Sequence, residues 1–395
     1  MKLPSEQFAK NRLKDDLKFM RMALHLAKRG HGATSPNPMV GAVLVKGGQI
    51  IGRGWHRRAG LPHAEIEALR DAQRLGHNAH GATLYVTLEP CSTHGRTPPC
   101  TNAIIAAAIK KIVAGATDPN PKHAGNGFEI LRRAGKKIVR GILADECAKL
   151  NEAFNHWIVH RTPFVTVKAA MTLDGKIATA GGESKWITGE KARAFGMKLR
   201  MGCDAILVGI NTILADNPSL TFRPVQSPKS KVQSRKSPRR IVLDSLARTP
   251  LSAKVVRDEF AVLTTIVVSK NAPKKRVAAL AKKVRVVIAP AANSKSKIQN
   301  SKLDLRWLLK KLGSENVTGL LVEGGGEANA SFLLGGFAQR IAFFYAPKIL
   351  GGRDARKAVA GDGVKNLSEA IQLHDVEWRK LGLDLLLTAR LESKL

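Results

Sequence analysis

At 395 residues the chain is too long for one ordinary domain and comfortable for two. Its 44% apolar and 24% charged residues exclude a disordered chain, and no apolar run has the length of a membrane span. The 65 Lys and Arg against 31 Asp and Glu leave a formal charge of +34, which reads either as an anionic partner, phosphorylated small molecules or nucleic acid, or as many solvated lysines. Aromatic residues make up only 5% and do not interleave the basic runs, so nucleic acid is not the expected partner. The first thirty residues are charged throughout and lack an apolar signal core, so a cytoplasmic protein is expected. Four dispersed cysteines do not make a disulfide framework.

In chain order, Leu13, Leu17, Met20, Leu24 and Ala27 recur at helical spacing and stop at Gly30, a natural cap. Residues 39–46 and 49–55 read as strands joined at the Gly47-Gly48 turn. Helices are predicted over 64–75, 101–109 and 127–134, with strands over 83–88, 111–115 and 137–141. A hairpin followed by strand–helix alternation implies a mixed sheet with helices on both faces. A helical stretch over 144–158 reads as the joint to a second α/β unit that opens near Arg161-Thr162-Pro163. There, strands are predicted over 164–170, 205–208, 241–243, 262–269, 284–289, 319–322, 340–345 and 383–387, with helices over 191–201, 273–282 and 303–312. The expected domains are 1–150 and 162–395. Residues 226–240 and 292–302, rich in Lys, Arg and Ser, read as basic surface insertions.

The residues that carry chemistry begin with His63, Glu65, Cys91 and Cys100. Zinc takes imidazole nitrogen and thiolate sulfur, and a catalytic zinc keeps a fourth position open for water. Three such ligands beside a carboxylate that is not a ligand match the H-x-E…P-C pattern of base deaminases, with Glu65 as general acid and base. Eight residues separate Cys91 from Cys100, where base-editing deaminases have two. Glu67 reads as a surface or rim group. Asn37, in Ser35-Pro36-Asn37-Pro38, is a candidate to bond a pyrimidine edge or a ribose hydroxyl. His94 and Arg96, between the cysteines, are candidates for a substrate phosphate. Asp118-Pro119-Asn120-Pro121 follows a strand end, where ligand sites of α/β sheets lie.

In the second unit Lys168 stands in an otherwise apolar strand and needs a partner. Asp174-Gly175-Lys176 opens this unit with Trp186, which reads as flanking a nicotinamide or capping the core, while Gly209-to-Thr212 and Asp216-to-Thr221 read either as ordinary turns or as backbone N–H groups for a phosphate. Glu323-Gly324-Gly325-Gly326-Glu327 follows a buried strand and lets a diphosphate approach bare backbone, although it is not the G-x-G-x-x-G fingerprint.

The motifs SPNPMVGAVLV, HAE, LEPCSTHGRTPPC, DPNP, LDGKIA, SKWITG, ADNPSLT, VEGGG and APKILGG span residues 35–352. In that order they resemble the bifunctional deaminase–reductase family of riboflavin biosynthesis. The resemblance implies a cytidine-deaminase-like α/β/α domain followed by a dihydrofolate-reductase-like α/β domain. It implies zinc on His63, Cys91 and Cys100 and a proton shuttle at Glu65. NADPH contacts would fall on Ala170, Trp186, Thr212, Asp216, Ser245, Gly325 and Gly326, and substrate contacts on Ser184, Arg200, Leu220, Arg223 and Glu323. Arg200 and Arg223 would suit a phosphate clamp. The substrate would be a phosphorylated pyrimidine, and a homo-oligomer is expected. Two positions depart from the family: Thr93 and Glu67 stand where it commonly has His.

Overall fold

The computed structural model describes residues 4–95, 98–121, 123–222, 237–291 and 303–392. The chain divides into two units, Met1–Arg161 and Thr162–Leu395.

The first unit runs α1 (Pro4–Ala27), β1 (Gly41–Lys46), β2 (Gln49–Trp55), α2 (Ala64–Arg74), β3 (Thr83–Leu88), α3 (Cys100–Ala106), β4 (Lys111–Ala116), α4 (Asn126–Arg133), β5 (Lys137–Arg140), α5 (Ala144–Leu150) and α6 (Glu152–His160). Its sheet has the order β2-β1-β3-β4-β5. β1 is antiparallel to β2 and β3, and β3, β4 and β5 are parallel. Alternate strand residues build two cores, as the two-residue pleat requires. Ala42, Leu44, Leu84, Val86 and Ile112 pack with Ala64, Ala68, Ile104 and Phe128 from α2, α3 and α4. Val43, Val45, Tyr85 and Val113 pack with Phe19, Met20, Ala23 and Leu24 from α1. α2 lies directly on the bare backbone of β2: a Cβ at Gly52 would meet Ala68 O, and one at Gly54 would meet Ala64 O and Ala68 N. The single helical stretch expected over 144–158 is two helices broken at Asn151. The buried Asn151 amide explains the break, because its Oδ1 accepts from Met39 N and its Nδ2 donates to Met39 O.

The second unit runs β6 (Phe164–Thr172), β7 (Lys176–Ala178), α7 (Glu190–Met201), β8 (Ala205–Gly209), α8 (Ile210–Asp216), β9 (Arg239–Leu243), α9 (Lys254–Arg257), β10 (Thr264–Ser269), α10 (Lys274–Ala281), β11 (Arg285–Ala289), α11 (Leu305–Ser314), β12 (Gly319–Val322), α12 (Gly326–Leu334), β13 (Arg340–Ala346), β14 (Arg356–Lys357), β15 (Leu373–Leu381) and β16 (Asp384–Leu391). Nine strands form one sheet in the order β11-β10-β9-β8-β12-β6-β13-β16-β15. The first seven are parallel, and β16 and β15 add an antiparallel edge. One face packs Val167, Leu207, Ile241, Leu320 and Phe343 against α11 and α12, and the other packs Ile206, Val208, Val242 and Ile266 against α8, α9 and α10. Crossover helices on both faces of a parallel sheet are what such near-continuous apolar strands require. The two α/β units agree with the fold class expected from the sequence.

Several features differ from the reading above, and β7, α9 and β14 are among the elements it did not predict. α8 occupies a segment expected as turns. β15 was not predicted. β9 begins at Arg239, inside the segment expected as a surface insertion, and Arg240 is fully buried there. An arginine is tolerated at that depth because all five of its N–H groups are bonded: to Asp258 twice, and to Ser219 O, Val255 O and Thr264 Oγ1. The rest of that insertion up to 236, and 292–302, lie outside the described residues.

Candidate active sites

In the first unit, His63 is the N-cap residue of α2 and Cys100 is the first residue of α3. Cys91 follows β3, three residues past its end. These two helix N-termini meet, and each brings backbone N–H dipoles that favour negative charge. Cys100 N donates to Cys91 Sγ at 3.3 Å. His63 Nδ1 lies 3.4 Å from both Cys91 Sγ and Cys100 Sγ. Bonds of about 2.0 Å to nitrogen and about 2.3 Å to sulfur around a tetrahedral zinc place N and S about 3.5 Å apart. The three donor atoms lie within 4.8 Å of one another, so the residues present fit zinc without rearrangement.

Charge in the cluster is unevenly held. The Cys91 thiol is pulled down to about 4, first by the hydrogen bond from the Cys100 thiol and then by His63. Cys100 is pushed up by the same pairing and by burial. Glu65, on the first turn of α2, is 3% exposed. Burial, with the neighbouring Cys91 charge, lifts its carboxyl to about 7. A carboxyl poised there can take and return a proton near neutral pH.

His56, at the end of β2, stacks edge-on against His63 with ring centroids 5.2 Å apart. Its Nδ1 lies 3.1 Å from Pro62 O, and Asn37 Nδ2 lies 3.2 Å from its Nε2. With Asn37 donating to Nε2, Nδ1 carries the proton and donates to the carbonyl, and burial lowers the pKa of the ring. Asn37 is thus held beside the metal ligands through His56. Glu67 accepts from Arg57 Nε at 3.0 Å and pairs with Arg70. Thr93 Oγ1 lies 3.2 Å from His123 Nε2. His94 is exposed, and Arg96 lies outside the described residues.

Glu89 escaped the sequence reading. It is buried, and its carboxylate accepts from Asp118 N at 3.2 Å, Gly125 N at 3.0 Å and Gly127 N at 2.8 Å. One side chain thereby fixes the 118–127 loop that opens with Asp118-Pro119-Asn120-Pro121. The only signal was its place two residues before Cys91, at the end of an apolar strand.

In the second unit several residues expected at a reductase site lie at or just after the carboxyl ends of adjacent parallel strands, where ligands of open α/β sheets bind. Ala170 is near the end of β6, and Thr212 and Asp216 lie on α8 directly after β8. Ser245 follows β9, and its carbonyl accepts from Ser269 N and Ser269 Oγ. Gly325 caps the N-terminus of α12 directly after β12. Ser184 Oγ donates to Asp216 Oδ1 at 3.1 Å. Trp186 is 67% exposed, with the Arg193 guanidinium 4.7 Å from its ring centroid and Lys348 Nζ donating to its carbonyl.

The glycines at β12 are not equivalent. A Cβ at Gly324 would run into Ala328, and one at Gly326 into Lys357 O, so packing alone demands them. A Cβ at Gly325 would meet only Thr212 Oγ1, at 3.9 Å. The bareness of Gly325 is not required by its neighbours in the chain, and it leaves open space at a helix N-terminus whose N–H groups have no side-chain cap. This is the environment a dinucleotide phosphate fits.

Arg200 and Glu323 are brought together as a fork: Nε to Oε1 at 2.8 Å and Nη2 to Oε2 at 2.7 Å. Burial opposes the charge on Glu323, but Arg200 and Lys168 outweigh it and hold the carboxyl at about 2. Lys168 also lies over the Phe344 ring, 5.7 Å from its centroid. Leu220 is buried with φ of +50°. Arg223, the second half of the expected phosphate clamp, lies outside the described residues.

Comparison with known proteins follows the same division. The model of the cytidine and deoxycytidylate deaminase zinc-binding region matches residues 13–116, and that of the RibD C-terminal domain matches 163–387. The riboflavin biosynthesis protein RibD of Actinobacillus pleuropneumoniae is 42% identical over 98% of this chain and 97% of its own length. The structure of Acinetobacter baumannii RibD, form 1, superposes with a TM-score of 0.83 at 36% identity, covering 96% of this chain and 99% of that one. A Thermotoga maritima diaminohydroxyphosphoribosylaminopyrimidine deaminase/5-amino-6-(5-phosphoribosylamino)uracil reductase gives a TM-score of 0.79 at 35% identity, with 96% and 99% coverage.

Proposed function

The chain belongs to the RibD family of bifunctional deaminase–reductases of riboflavin biosynthesis, and from that premise we propose how its own residues divide the two reactions. Residues 1–150 carry the deaminase and 162–395 the reductase. The substrate is the phosphorylated pyrimidine 2,5-diamino-6-ribosylamino-4(3H)-pyrimidinone 5′-phosphate. It first loses its 2-amino group, and the ribosyl chain of the resulting 5-amino-6-(5-phosphoribosylamino)uracil is then reduced to ribityl. The name of the Thermotoga relative supports both steps.

His63, Cys91 and Cys100 hold the metal. Zinc, when bound, supplies the Lewis acidity that makes water a nucleophile near neutral pH. Glu65 takes the proton of that water on its carboxylate and returns it to the departing amine. Asn37 keeps its Oδ1 for the substrate because its Nδ2 is engaged by His56. The observation that carries the deaminase assignment is the pair of 3.4 Å separations around His63 Nδ1, with a buried non-ligand carboxyl beside them.

In the reductase, Ala170, Trp186, Thr212, Asp216, Ser245, Gly325 and Gly326 bind NADPH. NADPH, when bound, supplies the hydride to C1′ of the opened ribosyl group. Ser184, Arg200, Leu220, Arg223 and Glu323 bind the substrate. Three of the five Arg200 N–H groups are occupied by Glu323 and Thr221 O, which leaves two to reach an anionic group. Among the described residues no helix is long and apolar enough to cross a membrane. The site of action we favour is the cytoplasm. The expected homo-oligomer is supported by the exposed Val376, Trp378 and Leu385 of the β15–β16 edge.

Glu65→Gln tests the deaminase assignment. The variant is expected to keep one zinc per chain and full NADPH oxidation on the deaminated substrate, while ammonia release falls by about 10³-fold or more. Ammonia release within about tenfold of the parent would remove Glu65 from the mechanism.

A further inference from the structure

Leu220 lies in a left-handed conformation that is strained for a β-carbon-bearing residue, and such residues persist only where the surroundings over-determine them. Here the surroundings are two guanidinium groups on its flanking carbonyls, that of Arg240 fully buried and that of Arg200 partly so. Arg240 Nη1 donates to Ser219 O at 3.0 Å, and Arg200 Nη1 donates to Thr221 O at 3.0 Å. Each arginine is anchored behind the loop. Arg200 is forked onto Glu323 at the end of β12. Arg240 is forked onto Asp258 with both bonds at 2.7 Å, and its remaining donors go to Val255 O and Thr264 Oγ1.

We propose that Arg240 is a positioning residue of the reductase, holding Ser219-Leu220-Thr221 from one side as Arg200 holds it from the other, so that Leu220 meets the phosphoribosyl pyrimidine in a fixed place. The inference rests on the assignment of Leu220 to the substrate pocket. Arg240 itself is wholly buried. Lysine cannot replace it. Its three donors diverge from one nitrogen, whereas the five bonds observed are shared among three nitrogens of a rigid plane.

The full-length, zinc-loaded chain is used throughout, with NADPH oxidation on 5-amino-6-(5-phosphoribosylamino)uracil as the reductase assay and ammonia release as the internal control. Arg240→Lys is expected to raise the substrate KM about tenfold, with kcat, the KM for NADPH and deamination within about twofold of the parent. Glu315→Gln is the stability control. Glu315 pairs with Arg239, the adjacent strand residue, whose side chain points to the opposite face of the sheet. It should lower the melting temperature without moving the substrate KM. If Arg240→Lys does not fold, Thr264→Val removes the Nε acceptor, together with the hydroxyl's own bond to Val255 O, and a rise of about threefold in substrate KM is expected.

An unchanged substrate KM in the folded Arg240 or Thr264 variant overturns the proposal, as does an equal rise in Glu315→Gln. Leu220→Ala separates this from the underlying assignment. A raised KM there with an unchanged Arg240→Lys keeps Leu220 in the pocket and rejects the clamp. An unchanged KM in Leu220→Ala rejects the assignment of Leu220, and the clamp with it.

Discussion

Three backbone N–H groups of the 118–127 loop donate to the two carboxylate oxygens of Glu89. Glu89→Gln turns one oxygen into a donor facing at least one N–H, an uncompensated buried clash worth about 1–3 kcal/mol. We expect deaminase kcat/KM to drop about tenfold or more, with zinc retained and NADPH oxidation on deaminated substrate unchanged. Loss of zinc in step with activity would instead make Glu89 part of the metal site. The cluster of His63, Cys91 and Cys100 was legible in the sequence because few residue types bind zinc and their order is restrictive. Glu89, Asn151 and His56 were not, because side chains that satisfy backbone groups or other side chains leave no pattern of residue types behind. Arg240 was misread for a related reason. A basic run suggests solvent, and only the fold supplies Asp258 and the carbonyls that make its burial tolerable.

At the level of elements, the deaminase site depends on how closely α2 lies on β2, since α2 carries His63 at its cap and Glu65 in its first turn. A Cβ at Gly54 would strike backbone atoms of Ala64 and Ala68, which cannot move without the helix. Gly54→Ala is therefore expected to destabilise the first unit by about 1–3 kcal/mol and to weaken zinc retention, both measurable by melting with and without added zinc. Equal stability and zinc affinity would mean that α2 shifts freely. The same elements show what periodicity can and cannot reveal. α1, α2 and the parallel strands were recognisable because one or both faces are buried and the residues say so. β15 was missed because its residues are exposed on both faces, leaving no alternation to detect. α8 was missed because its seven residues, Ile210–Asp216, are short and run straight into Asn217-Pro218, which reads as a turn.

For the whole molecule, two units with separate cores divide two chemistries that share a phosphorylated pyrimidine. The excess of 65 basic over 31 acidic residues suits that substrate, and part of it sits in the runs over 226–240 and 292–302. Because the three proposed metal ligands all come from the first unit, the second reaction should need zinc only to be supplied with its substrate. The most direct test is to strip the chain of zinc, then follow ammonia release and NADPH oxidation on the diamino substrate before and after one equivalent of zinc is returned, with the deaminated substrate as a parallel sample. The account predicts that the stripped chain releases no ammonia and oxidises no NADPH with the diamino substrate, oxidises NADPH normally with the deaminated one, and regains both activities at one zinc per chain. Undiminished ammonia release from a zinc-free chain, or NADPH oxidation on deaminated substrate that vanishes with the metal, would contradict it.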